Sequence, residues 1–176
     1  MRQGITQREL LAAAALLALA AGCAPPGTIK AYPGPDRSAG ELGVVLTDLR
    51  SDTFTITDNE ITAVDGVRFE KRGYMAQMLP GTHWIGLQGT LRVSRQVRVQ
   101  HCAFELDVNA GCIYRPQVPA YPRDALDQPA DAEWRVTRAM TLVAECSENL
   151  SYAVRVPLEC SSKPLCRSDS GFGACP

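Results

Sequence analysis

The sequence predicts an all-β protein: an antiparallel β-sandwich, stapled by disulfides and carried on a Pro-rich N-terminal tether. Three observations predict it. Apolar residues alternate with period two, most clearly in Met140, Leu142, Ala144 and Cys146 and again in Tyr152, Val154, Val156 and Leu158. That is the pattern of strands with one buried face. Turn residues punctuate the alternation at Asp65-Gly66, Pro80-Gly81, Asn109-Ala110-Gly111 and Ser147-Glu148-Asn149, because Gly and Asn accept positive φ and Pro presets φ. Finally, six of the seven cysteines lie beyond residue 100, an even set that suits an oxidising compartment.

The N-terminal 22 residues are a processing signal. Arg2 and Arg8 form a positive start, and Leu10 to Ala21 is an unbroken apolar run of twelve residues. A membrane-spanning helix needs about 20. The run ends in 20-AAGC-23, in which Ala21, Gly22 and Cys23 fit a lipobox. This segment resembles a bacterial lipoprotein signal. The resemblance implies cleavage before Cys23, acylation of its thiol and attachment to a lipid bilayer. Ala24 in place of Asp resembles the outer-membrane class of such proteins, facing the periplasm.

Residues 23–40 carry Pro25, Pro26, Pro33 and Pro35 with few apolar side chains, and are expected to form an extended tether. Residues 41–176 are expected to fold as one β-sandwich domain. Within them, 37-RSAGELGVV-45 suits a helical turn entering a strand. Phe54 and Ile56, a turn at Asp58-Asn59, and Ile61 and Ala63 suggest a first hairpin. The stretches 61-ITAVDGVRF-69 and 79-LPGTHWIGLQG-89 resemble PEGA-type surface β-modules, in which these residues are scaffold. Cys102, Phe104, Leu106 and Val108, then Cys112-Ile113-Tyr114, predict another hairpin about Asn109-Ala110-Gly111. Residues 134–146 and 150–158 predict a long third one.

Beyond residue 22 the charges are sixteen Lys and Arg against eighteen Asp and Glu. This balance gives no footing for nucleic acid, which demands a basic excess. Arg92, Arg95 and Arg98 are read as a wet strand face.

No cofactor is expected. The cysteines contain no C-x-x-C, so neither a zinc ribbon nor a thioredoxin-like pair is encoded. Instead Cys102, Cys112, Cys146, Cys160, Cys166 and Cys175 are expected to form up to three disulfides of undetermined pairing. His83 and His101 are read as ordinary strand histidines rather than metal ligands.

The C-terminal 166-CRSDSG-171 resembles the nucleophile segment of trypsin-like proteases. Ser170 would be nucleophile, His101 base, and Asp124, Asp127 or Asp131 the orienting acid. The context that chemistry needs is missing. Ser168 replaces the oxyanion-hole glycine, and only six residues follow Ser170. These letters are read as a tight disulfide loop.

The functional expectation is therefore a non-enzymatic, membrane-anchored envelope lipoprotein whose β-domain engages another envelope protein. Its tentative binding anchors are Tyr114, Tyr121 and Trp134, flanking or within the Pro-rich stretch 116–133. The alternative is a lipoprotein enclosing a small apolar ligand, such as a lipid, inside a β-barrel. A pocket separates the two readings.

Overall fold

A computed structural model describes residues 27–47, 57–93, 96–116, 133–147, 149–168 and 171–174. The described chain is all-β apart from one 3-10 turn. In order, the elements are β1 (Thr28–Lys30), the turn Ala39–Glu41, β2 (Gly43–Leu46), β3 (Thr57–Val64), β4 (Val67–Gly73), β5 (Met75–Met78) and β6 (Gly81–Val93). They continue with β7 (Gln96–Val108), β8 (Cys112–Pro116), β9 (Arg135–Cys146), β10 (Ser151–Ser161), β11 (Leu165–Ser168) and β12 (Gly171–Ala174).

The expected sandwich is corrected. Ten strands form one continuous sheet in the order β1-β5-β2-β8-β9-β10-β7-β6-β3-β4. The sheet curls until its edges, β1 and β4, touch, giving a nearly closed barrel. It is also mixed: β1 pairs with β5, and β2 with β8, in parallel. Period-two alternation marks which face of a strand is buried. It is the same whether the sheet faces a second sheet or curls onto itself.

Closure depends on a bare backbone. A Cβ on Gly73, at the end of β4, would lie 2.1 Å from the Gly27 carbonyl oxygen and 3.0 Å from Ile29 Cγ1. Only glycine lets the edges approach so closely. The stretch 23–40 is thus corrected in part, because from Thr28 onward it belongs to the fold. Ile29 and Tyr32 are buried. Lys30 Nζ closes the following turn by donating to the Gly34 carbonyl at 2.6 Å and pairing with Asp36 at 2.9 Å. A three-residue strand is too short to display a period.

The inward rows are those the alternation marks. Phe104, Leu106 and Val108 of β7 meet Met140, Leu142 and Ala144 of β9, Val156 and Leu158 of β10, and Ile61 of β3 in one cluster. The β9–β10 hairpin forms as expected, with Val154 opposite Leu142 and Asn149 at φ 58° in its turn. Leu150 in that turn is exposed, not buried. The Asp65-Gly66 turn is also present. Both residues have positive φ, 51° and 82°, and join β3 to β4 with Val64 opposite Val67; this is a type I′ hairpin.

Two expected turns are different. Asp58-Asn59 lies within β3 rather than between strands, and Phe54 and Ile56 lie outside the described residues. β7 and β8 do not pair with each other, because β9 and β10 stand between them. The link 109–111 instead crosses one end of the barrel, fixed by Gly111 N–H donating to the Leu42 carbonyl and Ser147 N–H to that of Gly111.

Candidate functional site

The cysteines build a covalent lattice rather than a reactive centre. Cys102 faces Cys160 across β7 and β10, and Cys112 faces Cys146 across β8 and β9. Each opposed pair forms a disulfide, with Cα atoms 4.0 Å apart. Cys102, Cys112 and Cys160 are buried in the core, so both bridges lie on the inner face. Cys166, on β11, is disulfide-bonded as well, while Cys175 lies outside the described residues. Cys23 also lies outside them.

Tyr114 is corrected as a surface anchor. It is wholly buried, among the largest side chains of the barrel interior. Its hydroxyl accepts the Asn109 N–H at 2.9 Å and lies 3.4 Å from the Tyr152 hydroxyl. Burial, then the Tyr152 hydrogen bond, pushes its pKa up to about 12. The signal for this was present: Tyr114 stands two residues from Cys112 and shares its face. Tyr121 lies outside the described residues.

Trp134 is half-buried and packs against the core. Its backbone exchanges hydrogen bonds with Ser162, the Trp134 N–H donating to Ser162 Oγ at 3.2 Å and the Ser162 N–H to the Trp134 carbonyl at 3.1 Å. Around it opens a cleft of about 210 Å³, lined by Glu133, Arg135, Ser161, Lys163 and Leu165. Ion pairs frame the cleft, Lys163 with Glu133 and Arg135 with Glu159.

The two histidines do different work. His83 is a clamp: Nδ1 lies 2.7 Å from Asp65 Oδ2 and Nε2 2.7 Å from the Leu79 carbonyl oxygen. His101 sits on the outer face of β7 beside Gln88 of β6 and Ser161 of β10. Burial, then Arg68, then Arg72, holds its pKa below the usual imidazole value. Among the described residues no three His, Cys, Asp or Glu side chains gather as metal ligands. Of the trypsin-like letters, Ser168 pairs with Gly171 in the β11–β12 hairpin, whereas Asp124, Asp127, Asp131 and Ser170 lie outside the described residues. So does Arg95, between β6 and β7.

Sequence reasoning missed the residues that surround His101. Arg68 and Arg72 come from edge strand β4, and Thr62 from a break in the β3 register between Ile61 and Ala63. The alternation Arg68, Glu70, Arg72 was the available signal for a charged strand face. No family model, curated protein or solved structure matches the chain.

Proposed function

We propose that the protein is a non-enzymatic envelope lipoprotein, held to a bilayer through acylated Cys23, whose barrel serves as a rigid surface for another envelope protein. The observation that carries this reading is the filled interior. Tyr114, Phe104, Ile61, Ile85, Met78, Met140 and Leu142 are each no more than 2% exposed and belong to one core cluster. A filled, doubly bridged barrel favours presentation of an outer surface over enclosure of an apolar ligand. The cleft beside Trp134 opens on the outside. Lipoproteins bear two or three acyl chains, which suffices for stable attachment.

The test is the intact mass of protein extracted from membranes, with and without reduction before alkylation, followed by crosslinking. Acylation on Cys23, alkylation that rises only after reduction, and a crosslinked partner lost in Trp134→Ala are the expected results. An unmodified Cys23 removes the anchor. An unchanged crosslinking pattern moves the partner surface away from Trp134.

A further inference from the structure

Gly27 lies at the barrel seam. Its carbonyl meets Gly73, and a Cβ on it would lie 3.6 Å from the Tyr74 ring. Cys23 comes only four residues earlier in the chain. Four extended residues span at most about 14 Å, and a headgroup layer takes up about 6 Å of that. An acylated Cys23 therefore keeps the seam close against the lipid, with no length left to lift the barrel away.

The seam has the chemistry for that position. β1 and β4 approach at Gly73, but among the described residues no ladder joins them. Val67 stands opposite buried Val64 and shares its inward parity, yet it is 62% exposed, because the seam gapes at this end. Here opens a cleft of about 350 Å³, walled by Tyr32, Pro33, Val64, Val67 and Phe69. Its polar neighbours are already engaged: Lys30 with the Gly34 carbonyl and Asp36, and Asp65 with His83 and the Trp84 N–H. Hydrocarbon suits such a mouth better than a polar ligand. Four large apolar side chains are exposed among the described residues, and two of them, Val67 and Tyr74 (41%), lie on this seam.

We propose that the β1–β4 seam is the face the barrel seats on the bilayer, an inference that rests on the acylated Cys23 of the reading above. Tyr74, beside the entry of the leash, sits at headgroup level, where tyrosine is favoured. Val67 and the mouth of the cleft meet the upper acyl chains, since apolar faces settle shallowly at this boundary. Glu70 and Lys71 of β4 are both exposed and opposite in sign, so the face fits zwitterionic lipid. In the sheet order β9 and β10 are fifth and sixth of ten, farthest from the seam on either side. Seating the seam on lipid thus turns Trp134 and its cleft outward, toward another envelope protein.

The test uses the full acylated chain in phosphatidylcholine vesicles that contain a phospholipid with a photoactivatable diazirine high on one acyl chain. Labelled residues are mapped by mass spectrometry. Val99 of β7 (47% exposed) and Leu150 of the β9–β10 turn (56%) serve as controls, being comparably exposed apolar side chains elsewhere. Labelling of Tyr74, Val67 and Phe69 several-fold above both controls is expected. Equal labelling of all the exposed side chains, or heavier labelling at Leu150, overturns the proposal. So do crosslinks from the seam to a second copy of the chain in place of lipid. The anchor is read separately, from the intact mass. Where Cys23 carries no acyl chain, its thiol is joined to a maleimide phospholipid and the map repeated, so that the seam stands or falls apart from the anchor.

Discussion

Asp65 joins its own turn to the neighbouring strand: its Oδ1 accepts the Trp84 N–H at 2.9 Å while Oδ2 meets His83 Nδ1 at 2.7 Å. The Asp65 N–H in turn donates to the Trp84 carbonyl at 2.9 Å. One side chain thus ties the β3–β4 turn to the start of β6.

Replacing Asp65 by Ala leaves the Trp84 N–H and His83 Nδ1 without their acceptor and places Ala at φ 51°. A loss of about 2–3 kcal/mol is expected in urea denaturation. Asp65→Asn keeps an acceptor and tolerates the backbone, and should cost about half as much. Equal stability of Asp65→Ala and the parent would show that the clamp carries no weight.

Gly73→Ala should damage barrel closure, because its Cβ would overlap the Gly27 carbonyl. The strands must part, at a cost of about 2 kcal/mol or more. Amide exchange should speed up in β1 and β4 first, and leave the β9–β10 hairpin protected. A uniform loss of protection, or none, would contradict the proposed route of closure.

The two core disulfides should not be additive when removed together. Cys102–Cys160 spans 58 residues and encloses Cys112–Cys146, which spans 34. Loop-closure entropy assigns about 4 kcal/mol to each alone. Because one loop is nested in the other, the inner bridge shortens the free chain of the outer. The quadruple Cys→Ala variant should therefore lose more than the sum of the two paired variants, as measured by chemical denaturation of each.

His101 sets a pH dependence with a definite sign. Its unfolded imidazole takes a proton near 6.5, whereas burial and the two arginines lower the folded value. As pH falls through that window the unfolded state binds more protons, so stability drops. Denaturation midpoints should fall from about pH 7.5 to about pH 5.5, and fall less in His101→Gln. Arg68→Gln/Arg72→Gln should remove only part of the difference, since burial is the larger cause.

Sequence patterning made the β9–β10 hairpin legible because both strands are long enough for eleven paired positions to repeat one rule. It made Asp65-Gly66 legible because few other dipeptides accept two positive φ values. The same logic misassigned 109–111. A short Gly-containing link can close a hairpin or cross a barrel end, and the parity of Val108, Cys112 and Tyr114 is alike in both. The cleft at His101 was illegible for another reason. It gathers residues 62, 68, 72, 88 and 101 from four strands, and no spacing along the chain encodes a convergence made by the sheet. Tyr114 is the instructive error: its aromatic character drew attention, but its parity with Cys112 already placed it inside.

The positions of the two core bridges have a consequence for the integrity of the chain. Cys102 and Cys112 both precede Pro116, while Cys146 and Cys160 both follow Arg135. Any single peptide-bond cut between Pro116 and Arg135 therefore yields two fragments that remain one molecule, sewn together twice. The strand ladders β8–β9 and β7–β10 span the same division. A nick there would pass unseen on a non-reducing gel, and only a reductant would separate the halves. Chain continuity through this stretch is redundant once the cystines have formed, which frees its sequence from the duty of keeping the protein whole.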